Sequence, residues 1–85
     1  MSEIKVYTTP FCPFCYRVKA LLDSKDIKYN EIDVMMSPQL RKEMTSKAGS
    51  HTVPQVFVGD MHIGDCDELH ALEAKGRLDG LLQSA

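Results

Sequence analysis

Two cysteines three positions apart, Cys12 and Cys15, are the side chains of this 85-residue protein best placed to do chemistry. They enclose the pair Pro13-Phe14 at the point where a strand-like segment gives way to a helix-like one. The start of a helix offers unpaired backbone N–H groups and the positive end of the helix dipole, and both favour a thiolate over a thiol. Because the thiolate is the form that attacks disulfides, the spacing predicts a nucleophile with a second thiol close by.

The two cysteines are predicted to have different roles. Cys12 precedes the helix and is expected to be the exposed nucleophile, whereas Cys15 lies one turn deeper. Residues three apart lie on neighbouring faces of a helix, so Cys15 can attack a mixed disulfide formed on Cys12 and release a thiol. A buried or metal-bound Cys12 is the alternative, but none of the three histidines stands at a zinc-ligand spacing from this pair. No metal site is predicted.

The bulk composition narrows the class of protein. A hydrophobic content of 44% with 26% charged residues is typical of a globular chain, and the length predicts a single domain over residues 1–85. The net charge of −2 gives no reason to expect nucleic acid or an anionic membrane as partner.

With no secretory signal and no segment long enough to span a bilayer, a cytoplasmic location is expected. Thiols are kept reduced there, so a close cysteine pair is more typical of catalysis or metal binding than of a structural disulfide.

The pattern of apolar residues predicts an α/β fold. Alternation predicts strands at 4–8, 27–34, 55–58 and 61–63, and helical spacing predicts helices at 13–24, 38–47, 65–75 and 77–83. The order β-α-β-α-β-β-α, followed by the short last helix, joins a parallel βαβ unit to an antiparallel hairpin. We expect a four-stranded mixed sheet with helices on both faces. A Cys-x-x-Cys beside a βαβ unit indicates that this is the thioredoxin-like fold.

Several motifs in the same order and spacing make the sequence resemble the glutaredoxin family over nearly its whole length. They are Tyr7-Thr8, the tetrad Cys12-Pro13-Phe14-Cys15, Thr52-Val53-Pro54 and the segment 64–68. The nearest likeness is to the small dithiol glutaredoxins of bacteria, although Phe14 stands where that family usually has tyrosine and Asp65 where it usually has glycine. The resemblance implies an enzyme: a glutathione-dependent thiol–disulfide oxidoreductase that reduces protein–glutathione mixed disulfides and protein disulfides.

The resemblance also implies a glutathione site built from two backbone segments. The Val53-Pro54 bond would be cis beside Thr52, so that the backbone of Val53 can pair with an extended ligand; a trans proline at the first residue of a strand is the alternative. The γ-glutamyl end would lie at the start of the third helix, held by the backbone of Cys66 and the side chain of Asp67. A plain N-cap role for the neighbouring Asp65 is equally compatible with this pattern.

Two further side chains complete the predicted site. The family commonly has a lysine three residues before the first cysteine, where Thr9 stands here. We therefore expect Arg41 to supply most of the remaining attraction for the glycyl carboxylate of glutathione, with Arg17 and Lys19 as weaker candidates. A solvated helix face is the alternative for Arg41. Phe14 is expected at the surface, on an apolar rim beside the cysteines. Cys66 is expected to act through its backbone rather than its thiol.

The cofactor and partners follow from the same resemblance. It implies glutathione as co-substrate, no tightly bound cofactor, glutathionylated or disulfide-containing proteins as partners, and a monomer. Two alternatives stay open: a carrier of a [2Fe–2S] cluster held between two subunits by Cys12 and glutathione, and a redoxin reduced by thioredoxin reductase. Pro13 and the second cysteine weigh against the cluster, because cluster-binding relatives more often have glycine or serine in the tetrad. The absence of the usual lysine, where Thr9 stands, leaves thioredoxin reductase as a possible reductant.

Overall fold

A computed structural model describes residues 3–83. The strands in that range are β1 (Ile4–Thr8), β2 (Asn30–Asp33), β3 (Gln55–Val58) and β4 (Met61–Gly64). The helices are α1 (Pro13–Ser24), α2 (Pro38–Ala48), α3 (Cys66–Ala74) and α4 (Leu78–Gln83). None of these helices has the length and apolar character needed to cross a membrane.

The strands form one mixed sheet in the order β2-β1-β3-β4. β1 runs parallel to β2 and antiparallel to β3, and β3 pairs with β4 as an antiparallel hairpin. The crossover from β1 to β2 is made by α1, which is the connection a parallel pair requires. The predicted four-stranded mixed sheet is confirmed, and a four-residue loop, residues 9–12, leads from the end of β1 to the start of α1.

Helices cover both faces of the sheet because successive residues of a strand point to opposite sides. Val6 packs in a cluster with Val18 and Leu22 of α1, to which α3 and α4 also contribute. The next residue, Tyr7, packs in a second cluster with Met44 of α2 and Phe57. The rings of Tyr7 and Phe57 meet edge to face at 5.5 Å. The two-faced arrangement predicted from the alternating strands is therefore present.

The second strand is shorter than predicted. It covers Asn30–Asp33 rather than 27–34. The N–H of Ile27 donates to the carbonyl of Leu22 at 3.1 Å, which closes the turn after α1 instead of joining the sheet. Ile27 and Tyr29 still pack against the core from this turn. The apolar alternation thus indicates burial correctly, but the strand pairing predicted for residues 27–29 is wrong.

The helix ends lie close to the predicted positions because their caps are specified locally. Ser37 caps α2 by accepting from the N–H of Leu40 at 3.2 Å, and Gly49 ends it with a left-handed φ of 72°. The predicted limits 65 and 75 of the third helix are its two cap residues, outside the helix proper. These caps matter for function because α3 begins directly beside the loop that precedes β3.

Candidate active site

Cys12 occupies the N-cap position of α1, four residues beyond the end of β1. Its Sγ accepts a hydrogen bond from the backbone N–H of Cys15 at 3.1 Å, and its carbonyl accepts from the N–H of Tyr16 at 3.0 Å. Pro13 follows as the first helical residue, where its missing N–H would have been unpaired in any case. An N–H donated to sulfur stabilises negative charge on that sulfur. The helix start therefore supports a nucleophilic Cys12.

Cys15 lies in the first turn of α1 and is buried, with 1% of its surface exposed. Burial, followed by the hydrogen bond with Cys12, raises the pKa of the Cys15 thiol to about 12. Cys12 is the more exposed of the two and is the sulfur that an approaching substrate meets first. All three cysteines are free thiols. The pair is thus asymmetric: one accessible sulfur with a backbone donor, and one protonated thiol held behind it.

A groove of about 270 Å³ lies on the β3–β4 side of the cysteines, and we call it the first groove. The Val53-Pro54 peptide bond in its wall is cis, as the resemblance implied. The groove brings together the two segments predicted to bind glutathione, together with the side chain expected on the apolar rim. Its lining residues are Phe14, Thr52, Val53, Pro54, Asp65, Cys66 and Asp67.

The start of α3 forms one end of the first groove. Asp65 is the N-cap: its Oδ1 accepts from the N–H of Glu68 at 3.0 Å, while Glu68 Oε1 accepts from the N–H of Asp65 at 3.2 Å. Gly64 precedes it at φ 132°, where a Cβ would come within 2.5 Å of the Glu68 Cβ. The N-cap alternative for Asp65 is thus the arrangement that the structure contains. It leaves Asp67 exposed at the first turn.

The Cys66 thiol points into the protein. The residue is 4% exposed, and its Sγ lies 3.6 Å from Nδ1 of His70. Burial raises the pKa of this thiol, so it stays protonated at neutral pH. The sulfur of Cys66 is thus poorly accessible, and a role for its backbone stays a prediction.

Arg41 contacts the loop before β3 and does not line the first groove. Its Nη2 donates to the carbonyl of His51 at 3.3 Å, one residue before Thr52. Among the described residues, those that line the first groove do not include Arg41. The structure therefore brings together every predicted glutathione-binding residue except this one, which contacts the loop next to them.

A hydrogen-bonded pair of side chains that the sequence analysis missed, Gln55 and His62, supports this loop. Gln55 is 2% exposed, and its Nε2 donates to the carbonyl of Thr52 at 3.0 Å. Its Oε1 lies 2.6 Å from Nε2 of His62 on the neighbouring strand. A glutamine at the start of an otherwise apolar strand was the only signal of this role. The contact fixes the residue that leads into Val53.

A second groove, of about 560 Å³, lies on the β2 side of the cysteines. Its walls are the end of β1 with the loop that follows, one face of α1, and β2. Sequence analysis did not predict it, because it depends on the contact between β1, α1 and β2. Its lining residues are Thr8, Thr9, Pro10, Phe11, Cys12, Pro13, Cys15, Tyr16, Lys19, Glu31 and Asp33. Over residues 3–83, no three His, Cys, Asp or Glu side chains converge as a metal site.

Comparison with known proteins gives consistent matches. The family model described as Glutaredoxin matches residues 4–63. The chain is 49% identical over 84 residues to a glutaredoxin of Pseudomonas aeruginosa, covering 99% of this chain and 100% of that protein. It is 45% identical over 83 residues to glutaredoxin 3 of Escherichia coli K12, covering 98% and 100%. Among solved structures, a buckwheat glutaredoxin–glutathione complex superposes with a TM-score of 0.88 at 29% identity, covering 98% of this chain and 78% of that one.

Proposed function

This chain belongs to the glutaredoxin family of thiol–disulfide oxidoreductases, and from that premise we propose that it uses glutathione to reduce protein–glutathione mixed disulfides and protein disulfides. One observation carries the proposal. The Sγ of Cys12 has a backbone donor from Cys15, and Phe14, between these two cysteines, lines a groove built from Thr52–Pro54 and the start of α3. A similar protein was solved with glutathione bound, which supports glutathione as the ligand of this groove.

The first proposed reaction removes glutathione from a protein. The Cys12 thiolate attacks the glutathione sulfur of the mixed disulfide, that S–S bond breaks, and the protein leaves as a thiolate that takes a proton from water. Cys12 is now joined to glutathione. The thiolate of a second glutathione attacks the bound glutathione sulfur, which forms oxidised glutathione and returns the Cys12 thiolate.

The second proposed reaction reduces a disulfide within or between proteins. Cys12 attacks one sulfur of that disulfide and forms a mixed disulfide with the substrate. Cys15 loses its proton and attacks Cys12, which releases the second substrate thiol and leaves a Cys12–Cys15 disulfide. Two glutathiones then reduce this disulfide and leave as oxidised glutathione. Family potentials of about −200 to −230 mV lie close enough to the cellular glutathione pool for that step to run.

Glutathione is proposed to lie extended along the first groove. The backbone of Val53, beside Thr52, pairs with the middle of the tripeptide as a short strand does. The backbone of Cys66 receives the γ-glutamyl carboxylate at the start of α3, where N–H groups favour an anion. The Asp67 carboxylate faces the ligand ammonium, and Phe14 covers the apolar side. No tightly bound cofactor takes part in either reaction.

The proposed setting is a compartment in which thiols are kept reduced, such as the cytosol, because the resting enzyme needs both cysteines as thiols. Residues 1–85 are proposed to act as one domain and as a monomer. The partners are glutathione and proteins that carry a glutathionylated cysteine or a disulfide.

A coupled assay with hydroxyethyl disulfide tests the choice of reductant. NADPH oxidation is followed with glutathione plus glutathione reductase, and separately with thioredoxin reductase alone. We expect turnover in the first mixture and none above background in the second. Turnover that requires only thioredoxin reductase would overturn the role of glutathione while leaving the cysteine chemistry in place.

Arg41 contacts the carbonyl of His51, next to Thr52, and from this position its guanidinium is proposed to attract the glycyl carboxylate of glutathione. Removal of the guanidinium tests this attraction. Arg41→Ala is expected to raise the Michaelis constant for a glutathionylated peptide about fivefold, which corresponds to ~1 kcal/mol for one partly exposed charge interaction. The turnover number should change little, since Arg41 lines neither of the two grooves beside the cysteines. Lys42→Ala, which removes a neighbouring exposed cation, is the matched control. Equal Michaelis constants for Arg41→Ala, Lys42→Ala and the wild type would remove Arg41 from the site.

The raised pKa of Cys15 predicts how its reaction depends on pH. Quenched-flow mixing with saturating oxidised glutathione loads Cys12, and the later step in which Cys15 displaces that glutathione is measured by mass spectrometry. Below its pKa of about 12, the Cys15 thiolate fraction rises about tenfold per pH unit. Burial, the main cause of the raised pKa, persists in the adduct. The rate should therefore keep rising from about pH 7 to about pH 10.

An external thiol provides the comparison for this pH profile. In Cys15→Ser, discharge of the Cys12 adduct by a small thiol should level off above about pH 9, because that thiol has an ordinary pKa of about 8.5. The two profiles should separate in the alkaline range. A Cys15 step that levels off together with the external thiol would show that burial does not govern its proton loss.

A further inference from the structure

The second groove reaches Cys12 from the side opposite to the proposed glutathione site. It is about twice as large as the first groove, at about 560 Å³ against about 270 Å³. The sheet order places β2, which forms its outer wall, at the edge away from β3 and β4. A chain segment whose cysteine is joined to Cys12 extends in two directions from that sulfur. The first groove accounts for only one of them.

The rim of the second groove presents apolar surface that the fold does not use. Phe11, next to Cys12, has a φ of 61° and is 97% exposed. The left-handed region is unfavourable for a residue other than glycine, and the exposed ring does not offset that cost by burial. Tyr16, on the helix side of the same groove, is 72% exposed. Backbone strain of this kind persists mainly at functional sites, and two exposed rings beside the nucleophile are suited to contact a partner.

The charges in the second groove leave one carboxylate unpaired. Lys19 Nζ lies 3.1 Å from Glu31 Oε2, which also accepts from the hydroxyl of Thr8 at 2.8 Å. Asp33, two residues along β2, accepts from the N–H of Met35 at 2.9 Å. Over residues 3–83 it forms no ion pair. Besides the Cys12 sulfur, one positive and two negative side chains line the groove, and the carboxylate that lacks a cation is that of Asp33.

We infer that the second groove binds the protein segment that flanks a substrate cysteine, and that Asp33 selects for a lysine or arginine in that segment. The inference rests on the proposed function, since it takes Cys12 as the sulfur that joins the substrate. The segment packs its side chains against the rings of Phe11 and Tyr16. Its basic side chain then meets a carboxylate that has no cation of its own. The substrate class is a disulfide or mixed disulfide in a basic sequence context.

Peptides activated with thionitrobenzoate test this selection. Cys12 of the Cys15→Ser protein attacks the peptide sulfur, the S–S bond breaks, and thionitrobenzoate leaves as a coloured thiolate while the peptide stays on Cys12. Paired peptides carry either lysine or glutamate at each position from three before to three after the cysteine. We expect the lysine peptide to react about fivefold faster at one or more positions, which is the range of an exposed charge contact.

Variants at two aspartates locate the effect. In Asp33→Asn the amide oxygen can still accept from the N–H of Met35, and the lysine preference should fall to about twofold or less. Asp33→Ser is a second variant, whose hydroxyl can also accept from the N–H two residues further along the chain. Asp60→Asn, in the turn between β3 and β4, changes the net charge equally and should keep the preference. It separates a local contact from the overall charge of −2.

The outcomes separate this inference from the proposed function. Equal rates for lysine and glutamate peptides, or a preference that survives both Asp33 variants, would overturn the selection by Asp33. If the same proteins still react with oxidised glutathione, the proposed function stands without the second groove. Failure to react with either the peptides or oxidised glutathione would instead remove Cys12 as the nucleophile. A preference that is lost only when Asp33 is changed supports the inference.

Discussion

Cys12→Ser is expected to reduce both activities to background, a loss of about a thousandfold or more. A serine hydroxyl is not ionised near neutral pH and forms no disulfide, so neither a glutathione adduct nor a substrate adduct can arise. The fold should persist, because serine is a good N-cap residue and can still accept from the N–H of Cys15. Deglutathionylation of a peptide and reduction of a protein disulfide are measured in the same coupled assay.

The control for this loss is the thermal unfolding of the variant. Cys12→Ser should unfold at or above the wild-type temperature, since it keeps the cap of α1 without the thiol. A folded Cys12→Ser protein that retained either activity would show that another sulfur is the nucleophile. Within residues 3–83, Cys66 is the one thiol outside the tetrad, and it is buried beside His70.

Cys15→Ser is expected to separate the two activities. Deglutathionylation should remain within about threefold of the wild type, because that cycle needs only Cys12 and a second glutathione. Reduction of protein disulfides should fall about a hundredfold or more, since no internal thiol remains to release the substrate. The backbone N–H that donates to Cys12 is kept in the variant. Both rates are measured against Cys12→Ser, which differs from Cys15→Ser only in the cysteine replaced.

Loss of both activities in a folded Cys15→Ser protein would contradict the division of roles. It would mean that the buried thiol, and not only its backbone, is needed for the first attack. Retention of both activities would contradict it in the other direction, because external glutathione would then resolve protein adducts as well as Cys15 does. The burial of Cys15 at 1% exposed surface argues against the first outcome. The hydrogen bond between the side chains of Cys15 and Cys12 argues against the second, because it keeps the resolving thiol next to the adduct.

Local signals made most of the fold predictable. Ser37 with Pro38 marks the start of α2, and Gly49 marks its end through the left-handed conformation that glycine tolerates. The apolar pattern located β1, α1 and β3 at the bounds that the structure has. The error at 27–34 arose because burial and strand pairing give the same alternation. Only the hydrogen bond from Ile27 to Leu22, a tertiary detail of the turn, separates them.

The parts of the candidate site that belong to sequence motifs could be predicted. The resemblance located Thr52-Val53-Pro54 and Cys66-Asp67, and the structure places both segments in one groove. The structure does not place Arg41 in that groove. The direction of a long side chain on a helix is set by its neighbours, and here Arg41 donates to the carbonyl of His51. The charges of the second groove could not be read from the sequence, since Thr8 and Glu31 are 23 residues apart. Such pairs become visible only when the strands are paired.

Mass spectrometry of Cys15→Ser after treatment with oxidised glutathione is the most direct test of Cys12 as the sulfur that exchanges with glutathione. Peptide mapping should find one glutathione per chain, on Cys12, and brief exposure to reduced glutathione should remove it. Pre-treatment with iodoacetamide should block the same residue and prevent the adduct. A chain that takes up no glutathione, or carries it on Cys66 with Cys12 unmodified, would contradict the mechanism proposed for this protein.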